Sequence, residues 1–146
     1  MAEQHKLNSV YMGMAELLST LSTAERRKVG CLIVKDTQII AEGYNGTPRG
    51  FDNKCEYADH VDHLYTKKEV LHAESNAITK LARSTNSSEG ATLYVTCSPC
   101  MDCAKLIAQA GIKQVIYKED YGTFARSMEI KEFFRKAKVQ IDKINE

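Results

Sequence analysis

The 146-residue sequence predicts one α/β domain with three layers, in which helices cover both faces of a five-stranded mixed sheet. Three observations support this prediction. Helical and strand-like patterns alternate in the order α-β-β-α-β-α-β-α-β, residues 91–118 read as strand, helix and strand, and no linker or repeat interrupts the chain. A hydrophobic content of 43% and a charged content of 27% are typical of a globular domain. We therefore assign residues 1–146 to a single domain.

The first half of the chain predicts a helix, a hairpin and a long loop. Residues 5–22 have apolar side chains at helical spacing. The β-rich runs 29–35 and 38–44 are joined at Asp36-Thr37 and form a predicted hairpin. Residues 45–53 contain Gly, Pro, Asn and Asp, which predicts turns, and the segment continues without a clear period to about residue 65. The apolar positions of the first helix are Leu7, Val10, Tyr11, Met14, Leu17, Leu18 and Leu21.

The second half predicts two strand–helix units. A helix over about 72–82 has Ala77, Ile78 and Leu81 on its apolar face, and a capping-box pattern at Thr66–Glu69 leaves open an earlier start. After the strand 91–97, Ser98 is a predicted N-cap with Pro99 at the first helical position.

The remaining elements complete the sheet and one of its helical layers. The helix that follows Ser98 should end at Ala110, with Gly111 as the residue after its C-cap. Strand 113–118, a helix over about 127–136 and a short strand 138–144 then follow.

Composition narrows the classes of function. Five cysteines is an odd number, and three of them lie within residues 97–103, which indicates a metal or catalytic cluster in a reducing compartment rather than a disulfide framework. The N-terminus lacks the features of a signal peptide, and no apolar run approaches the roughly 20 residues of a membrane-spanning helix. We expect no membrane partner, and a net charge of +1 makes nucleic acid an unlikely partner.

The stretch "CSPCMDC" contains two overlapping C-x-x-C motifs. Cys100 and Cys103 are three residues apart near a predicted helix start, where two thiolates could hold one Zn²⁺. Cys97 and Cys100 instead span a strand-to-helix corner, and that pair alone would also suit a thioredoxin-like dithiol.

Upstream residues favour the metal hypothesis. His72 and Glu74 stand in "HAE", so an imidazole and two thiolates give three ligands, which leaves the fourth position of a catalytic zinc to water. Glu74 could accept a proton from that water and redistribute it. The combination H-x-E…P-C-x-x-C is the signature of zinc-dependent nucleobase deaminases. A structural zinc site would have four protein ligands, and neither a structural zinc nor a redox dithiol would need Glu74. Glu74 and the count of three ligands therefore argue against a structural zinc or redox module.

The segments "VGCLIVKDTQIIAEGYNGTPRGF", "EVLHAESNAI" and "LYVTCSPCMDCAKLIAQAGIKQVIY" together resemble the deoxycytidylate (dCMP) deaminases of the cytidine deaminase superfamily, and "GYNGTP" (43–48) narrows the resemblance to that branch. The resemblance implies the cytidine-deaminase-like fold and Zn²⁺-dependent conversion of dCMP to dUMP, the precursor of thymidylate. It implies Glu74 as the catalytic residue and His72, Cys100 and Cys103 as the zinc ligands.

The resemblance also implies a set of binding residues. The backbone around Ala73 and Ser98 should hold the pyrimidine edge, and Asn45 should hydrogen-bond the sugar. Arg26 is the first candidate for the phosphate, ahead of Arg27, Arg49 and Tyr121; an exposed basic knot without a ligand is the alternative for "ERRK" (25–28).

Regulation and assembly are expected from the resemblance alone. The family implies a homohexamer, activation by dCTP with Mg²⁺ and inhibition by dTTP. Gly46 and Arg49 are candidate effector contacts, although Gly46 could equally serve turn geometry. We expect the enzyme in the cytoplasm, or in the host cytoplasm if a virus encodes it.

Other hypotheses remain to be separated. Another deaminase of the superfamily could act on cytidine, dCTP or free cytosine, or on tRNA or single-stranded nucleic acid. A second zinc site built from Cys55, His60 and His63 is not expected, because no fourth ligand is evident. Cys31 is a predicted core residue, and Cys97 is a predicted packing residue at the end of its strand.

Overall fold

The computed structural model describes residues 2–145, with the side chain of Ala2 excepted. Four helices and seven strands follow one another along this part of the chain. The helices are α1 (Ala2–Ser19), α2 (Ala73–Ala82), α3 (Met101–Gln109) and α4 (Phe124–Ala137). The strands are β1 (Gly30–Lys35), β2 (Gln38–Tyr44), β3 (Glu56–Ala58), β4 (Leu64–Thr66), β5 (Thr92–Cys97), β6 (Gln114–Glu119) and β7 (Gln140–Lys143).

The five-stranded mixed sheet is confirmed, and its strand order is β2-β1-β5-β6-β7. β1 pairs antiparallel with both β2 and β5, whereas β5, β6 and β7 run parallel. The predicted parallel β-α-β unit is therefore present as β5-α3-β6. The carboxyl ends of β5 and β6 lie side by side, with Cys97 paired with Glu119.

Alternating side chains of the sheet separate two cores, which confirms that helices cover both faces. On one face, Leu32, Tyr94 and Ile116 pack against α1. On the other face, Ile33, Val95 and their neighbours pack under α2, α3 and α4. None of the helices within residues 2–145 is long and apolar enough to cross a membrane.

The apolar face of α1 differs from the prediction. Its buried residues are Tyr11, Met12 and Ala15. Four of the predicted positions are instead exposed at the surface of the chain: Val10, Met14, Leu17 and Leu21. The 3.6-residue period was therefore recognised, but the helix is rotated because small Ala15 and flexible Met12 fit closest to the sheet.

The β1–β2 hairpin is confirmed, and its two-residue turn has left-handed backbone angles. Asp36 and Thr37 have φ values of 52° and 61°, the signs that a type I′ turn requires. The turn is unusual for Thr37, whose branched side chain disfavours positive φ. Its backbone carbonyl accepts a hydrogen bond from the Tyr11 hydroxyl at 3.2 Å, which ties the turn to α1.

Two predicted boundaries are wrong, and one that the sequence left open is decided. Thr66 ends strand β4, and α2 starts at Ala73, close to the predicted start at about residue 72. Ser98 and Pro99 lie before α3, and its N-cap is Cys100, so the predicted proline at the first helical position is not there. Helix α4 begins at Phe124 rather than about residue 127, because the Thr123 side chain caps it by accepting a hydrogen bond from the backbone N–H of Arg126.

The segment predicted as an irregular loop contains a small hairpin. β3 and β4 pair antiparallel, and Glu56 lies opposite Thr66. These strands are only three residues long, and the stacked rings of Tyr57 and Tyr65 lie 5.5 Å apart across them. A two-stranded sheet this short gives too few alternating positions to be recognised in the sequence.

Gly43 determines how closely α2 approaches the sheet. A Cβ on Gly43 would collide with the carbonyl oxygen of Ala73 and lie 2.7 Å from the amide nitrogen of Ala77. Only glycine therefore allows the first turns of α2 to lie directly on β2.

We expect Gly43→Ala to lower the free energy of unfolding by about 1–3 kcal/mol, because the backbone of α2 would have to move. Urea denaturation monitored by circular dichroism measures the change.

Gly13→Ala is the matched control, since Gly13 lies in α1 with no atom within 4 Å of an added Cβ. Alanine there should raise the free energy of unfolding by about 0.5–1 kcal/mol. Equal stability of Gly43→Ala and the wild type would contradict the packing argument.

Candidate active site

Two helix N-termini bring three metal-ligating side chains together. His72 is the N-cap of α2, Cys100 is the N-cap of α3, and Cys103 lies in the first turn of α3. The two helices pack beside each other on the same face of the sheet. His72 Nδ1 lies 3.3 Å from Cys103 Sγ and 3.5 Å from Cys100 Sγ. One donor atom from each residue lies within 4.8 Å of the other two.

These separations fit tetrahedral zinc. With Zn–S bonds of about 2.3 Å and a Zn–N bond of about 2.0 Å, tetrahedral angles place donor atoms about 3.5–3.8 Å apart. The observed N–S separations of 3.3 and 3.5 Å are close to this range. Two sulfurs and one imidazole nitrogen are also the donor types that zinc prefers. The residues therefore suit one Zn²⁺ with a fourth coordination position for water.

The two thiols do not hold their protons equally. A hydrogen bond from Cys103 lowers the pKa of the Cys100 thiol to about 4, and a contact with His72 acts in the same direction. The same hydrogen bond, together with burial, raises the pKa of the Cys103 thiol. Cys100 is thus favoured as a thiolate without a metal, whereas Cys103 would lose its proton when a metal binds.

Glu74 lies in the first turn of α2 and is 4% exposed. Burial raises the pKa of its carboxyl to about 7. A carboxyl with this pKa can both accept and return a proton near neutral pH, which is what a proton shuttle needs. The side chain lines the same cavity as His72 and Cys100.

Cys97 lies at the end of β5 and lines the same cavity as His72 and Cys100. It is 6% exposed, and burial raises the pKa of its thiol to about 11. Among the described residues, the cluster with metal-ligand spacing contains His72, Cys100 and Cys103 without Cys97. Cys31 is fully buried in the core on the same face of the sheet.

The cavity has a volume of about 300 Å³, which is at the lower end of the range for small-molecule sites. Of the residues predicted to bind substrate, all but the phosphate candidate Arg49 line it, and the effector candidate Gly46 does not. The lining residues are Arg26, Arg27, Asn45, Ala73, Ser98 and Tyr121.

Asn45 also holds the backbone of the neighbouring segment 27–29 by hydrogen bonds. Its Oδ1 accepts a hydrogen bond from the backbone N–H of Val29 at 2.9 Å, and its Nδ2 donates to the backbone carbonyl of Arg27 at 2.8 Å. The amide therefore fixes the segment that carries the basic knot. An amide nitrogen has two hydrogens, so one remains to donate to a ligand in the cavity.

Ser98 joins β5 to the segment after β6. Its Oγ accepts a hydrogen bond from the backbone N–H of Tyr121 at 3.0 Å, and its own N–H donates to the carbonyl of Glu119 at 2.8 Å. These contacts place Tyr121 beside the cavity.

Two guanidinium groups lie close to the ring of Tyr121. The central guanidinium carbons of Arg27 and Arg126 each lie 5.1 Å from the ring centroid, within the range of cation–π contact. Arg27 also forms a 3.0 Å ion pair with Glu119. Together with Arg26, they give the cavity three cationic side chains.

Sequence reasoning missed Arg126. The predicted helix began near residue 127 and left Arg126 in a loop with no assigned role. The pattern T-x-x-R at residues 123–126 carried the missing signal, since a Thr N-cap there starts the helix one turn earlier.

Gly46 and Arg49 lie on the segment that follows β2. Gly46 exchanges two backbone hydrogen bonds with Leu71, at 3.0 and 2.8 Å, and so holds the residue before His72. It does not have a left-handed φ, and an added Cβ would meet no atom within 4 Å. Turn geometry therefore does not explain this glycine. Arg49 is exposed in the turn at residues 49–50.

The residues considered for a second zinc site lie on the β3–β4 hairpin and beside it. Cys55 is buried, with its Sγ 3.6 Å from Thr23 Oγ1. The ring of His63 packs on Tyr65, with centroids 4.6 Å apart. Across residues 2–145, the only cluster of three such donor residues is the one formed by His72, Cys100 and Cys103.

Comparisons with known proteins agree with this geometry. Residues 5–119 match the model of the cytidine and deoxycytidylate deaminase zinc-binding region. ComE operon protein 2 of Bacillus subtilis is 38% identical over 97% of this chain and 73% of its own length. The deoxycytidylate deaminase of Enterobacteria phage T4 is also 38% identical, over 77% of this chain and 78% of its own length.

Among solved structures, the dCMP deaminase of cyanophage S-TIM5 in complex with dCMP and dUMP is 42% identical, with a TM-score of 0.84 over 94% of this chain and 96% of that one. A Thermotoga maritima diaminohydroxyphosphoribosylaminopyrimidine deaminase/reductase is 27% identical, with a TM-score of 0.72 over 96% of this chain and 37% of that one. The sequence match, the shared fold and the His-Cys-Cys group agree, so this chain belongs to the family of zinc-binding cytidine and deoxycytidylate deaminases.

Proposed function

We propose that the protein catalyses the hydrolytic deamination of dCMP to dUMP and ammonia, and so supplies dUMP for thymidylate synthesis. The observation that carries this proposal is the make-up of one cavity. It contains zinc ligands, the buried carboxyl of Glu74 and the guanidinium groups of Arg26, Arg27 and Arg126. A small cytosine compound with a phosphate matches both the deaminase chemistry and the positive charge.

The proposed ligands of Zn²⁺ are His72, Cys100 and Cys103. When bound, Zn²⁺ would lower the pKa of a water molecule, and this water provides the oxygen that replaces the amino group. Glu74 takes one proton from water and delivers it to N3 of cytosine as the water oxygen bonds to C4. Glu74 then takes the remaining proton of that water from the oxygen now bonded to C4 and transfers it to the amino group. The C4–N4 bond breaks, C4 keeps the oxygen as the uracil carbonyl, and ammonia leaves. Burial of Glu74 raises the pKa of its carboxyl to about 7, so the carboxyl can carry a proton at neutral pH.

Binding groups orient the nucleotide for this reaction. We assign the pyrimidine edge to backbone groups around Ala73 and Ser98 and the sugar to the remaining amide hydrogen of Asn45. Arg26, Arg27, Arg126 and Tyr121 would surround the phosphate, because three guanidinium groups can offset the charge of a dianion.

Regulation and assembly form a further part of the proposal. We place dCTP, with Mg²⁺, as activator and dTTP as inhibitor of a cytoplasmic homohexamer, on the strength of the family resemblance. Gly46 and Arg49 are the proposed effector contacts. The open space around Gly46 supports a close approach by a ligand or by a second subunit at this position.

Substrate specificity tests the function directly. Deamination of dCMP, CMP, deoxycytidine and dCTP can be followed by ultraviolet absorbance, each with and without dCTP or dTTP as effector. The highest kcat/KM should be for dCMP. A preference for cytidine or dCTP, or for a tRNA or single-stranded DNA substrate, would favour another deaminase of the superfamily, and absence of dCMP turnover would refute the proposal.

We predict that Glu74→Gln retains stoichiometric zinc but lowers kcat at least about 100-fold, because glutamine cannot transfer the proton. Metal analysis and dCMP turnover on the same preparation separate binding from chemistry. A rate like that of the wild type would remove Glu74 from the mechanism.

Cys100→Ala should abolish both zinc binding and activity, because only two protein ligands would remain. Cys97→Ala is the matched control in the same heptapeptide. It should keep zinc and activity and lose only stability. Loss of zinc from Cys97→Ala would show that the two C-x-x-C motifs were assigned in the wrong order.

Arg126→Ala should raise the KM for dCMP about tenfold while affecting deoxycytidine much less, since a charged hydrogen bond to phosphate would be lost. Arg135→Ala is the control, because it removes a positive charge from the same helix at an exposed position where Arg135 pairs with Glu132. This variant should leave the KM for dCMP unchanged. Equal losses on dCMP and deoxycytidine would exclude a phosphate role for Arg126.

A further inference from the structure

The base of the β3–β4 hairpin holds Arg26 at two points. Glu56 on β3 and Thr66 on β4 are directly opposite each other in the hairpin, and both line the cavity. Sequence reasoning gave no role to Glu56 and placed Thr66 only in a capping-box pattern.

Glu56 fixes the backbone of the basic knot. Its Oε2 accepts hydrogen bonds from the consecutive backbone N–H groups of Glu25 and Arg26, at 2.9 and 3.0 Å. Residues 25–26 form a bend outside any helix or strand, so no regular backbone hydrogen bonds of a helix or sheet fix this loop. Two amides converging on one carboxylate oxygen determine where the Arg26 side chain begins.

Thr66 fixes the other end of the same residue. Its Oγ1 accepts a hydrogen bond from Arg26 Nη1 at 3.1 Å. A free arginine side chain has many rotamers, and ordering it on ligand binding would weaken affinity. The Thr66 hydroxyl orders the guanidinium before any ligand arrives.

The two contacts leave the charge of Arg26 available. Arg27 forms an ion pair with Glu119, but Arg26 forms no ion pair with any carboxylate within residues 2–145. The Glu56 carboxylate is engaged by backbone amides, and Thr66 is neutral. Arg26 is thus held in place without being neutralised, which is the arrangement an anion-binding side chain requires.

We propose that Glu56 and Thr66 are positioning residues that hold Arg26 for the 5′-phosphate and so determine the preference for a nucleotide over a nucleoside. This inference rests on the proposed function. The hairpin thereby contributes to substrate choice through Arg26, without reaching the reacting atoms.

The test compares dCMP with deoxycytidine in two pairs of variants. Thr66→Val and Glu56→Ala remove the acceptors, whereas Thr66→Ser and Glu56→Gln keep an oxygen at each position. Thr66→Val and Glu56→Ala should raise the KM for dCMP about tenfold, with kcat within about twofold of the wild type and kcat/KM for deoxycytidine unchanged. The conservative variants should restore most of the affinity for dCMP.

A double-mutant cycle links the effect to Arg26. In an Arg26→Ala background, Thr66→Val should cause no further increase in the KM for dCMP, because the group it positions is gone. Binding of dUMP and deoxyuridine, measured by calorimetry on the zinc-loaded protein, should show the same selective loss.

Parallel losses on dCMP and deoxycytidine, or additive effects of Thr66→Val and Arg26→Ala, would overturn the positioning role. A wild-type protein that deaminates deoxycytidine but not dCMP would instead refute the proposed function. The two failures are therefore distinguishable.

Discussion

The site depends on the close contact between α2 and β2. Gly43 lets the carbonyl of Ala73 lie against the strand, so His72 and Glu74 project from a turn that the sheet itself holds. α3 begins directly after β5, which brings Cys100 and Cys103 to the same place. Two helix N-termini packed on one sheet fix the positions of the proposed metal ligands more precisely than flexible loops would.

Electrostatics then divide the cavity into two kinds of environment. Around Glu74, burial favours the neutral carboxyl, and the hydrogen bond from Cys103 favours the thiolate of Cys100. Around Tyr121, arginine side chains on exposed segments keep their charge. The Glu74 carboxyl, the proposed proton carrier, is thus shielded from bulk solvent, while the cations keep their access to a charged ligand.

The parts of the site that depend on local spacing could be predicted from the sequence. His72 and Glu74 are two residues apart, and Cys100 and Cys103 are three apart, so short motifs determine their relative positions. The helix boundary at Cys100 was wrong by two residues, because the motif specifies which side chains converge but not which backbone amide is the first in the helix. The T-x-x-R pattern could have given the start of α4 but not the role of Arg126, and no motif pointed to Glu56. Each reaches the cavity through tertiary packing, from α4 and from a hairpin too short to leave a period.

The contact of both Arg27 and Arg126 with the ring of Tyr121 has a consequence for ligand capture. Each guanidinium is attracted to the aromatic ring, but the two like charges repel each other. An arriving dianion relieves that repulsion and also attracts both groups. Since the Debye length is about 8 Å at physiological ionic strength, added salt screens this attraction before the ligand makes contact. The association rate of dCMP should therefore fall as ionic strength rises.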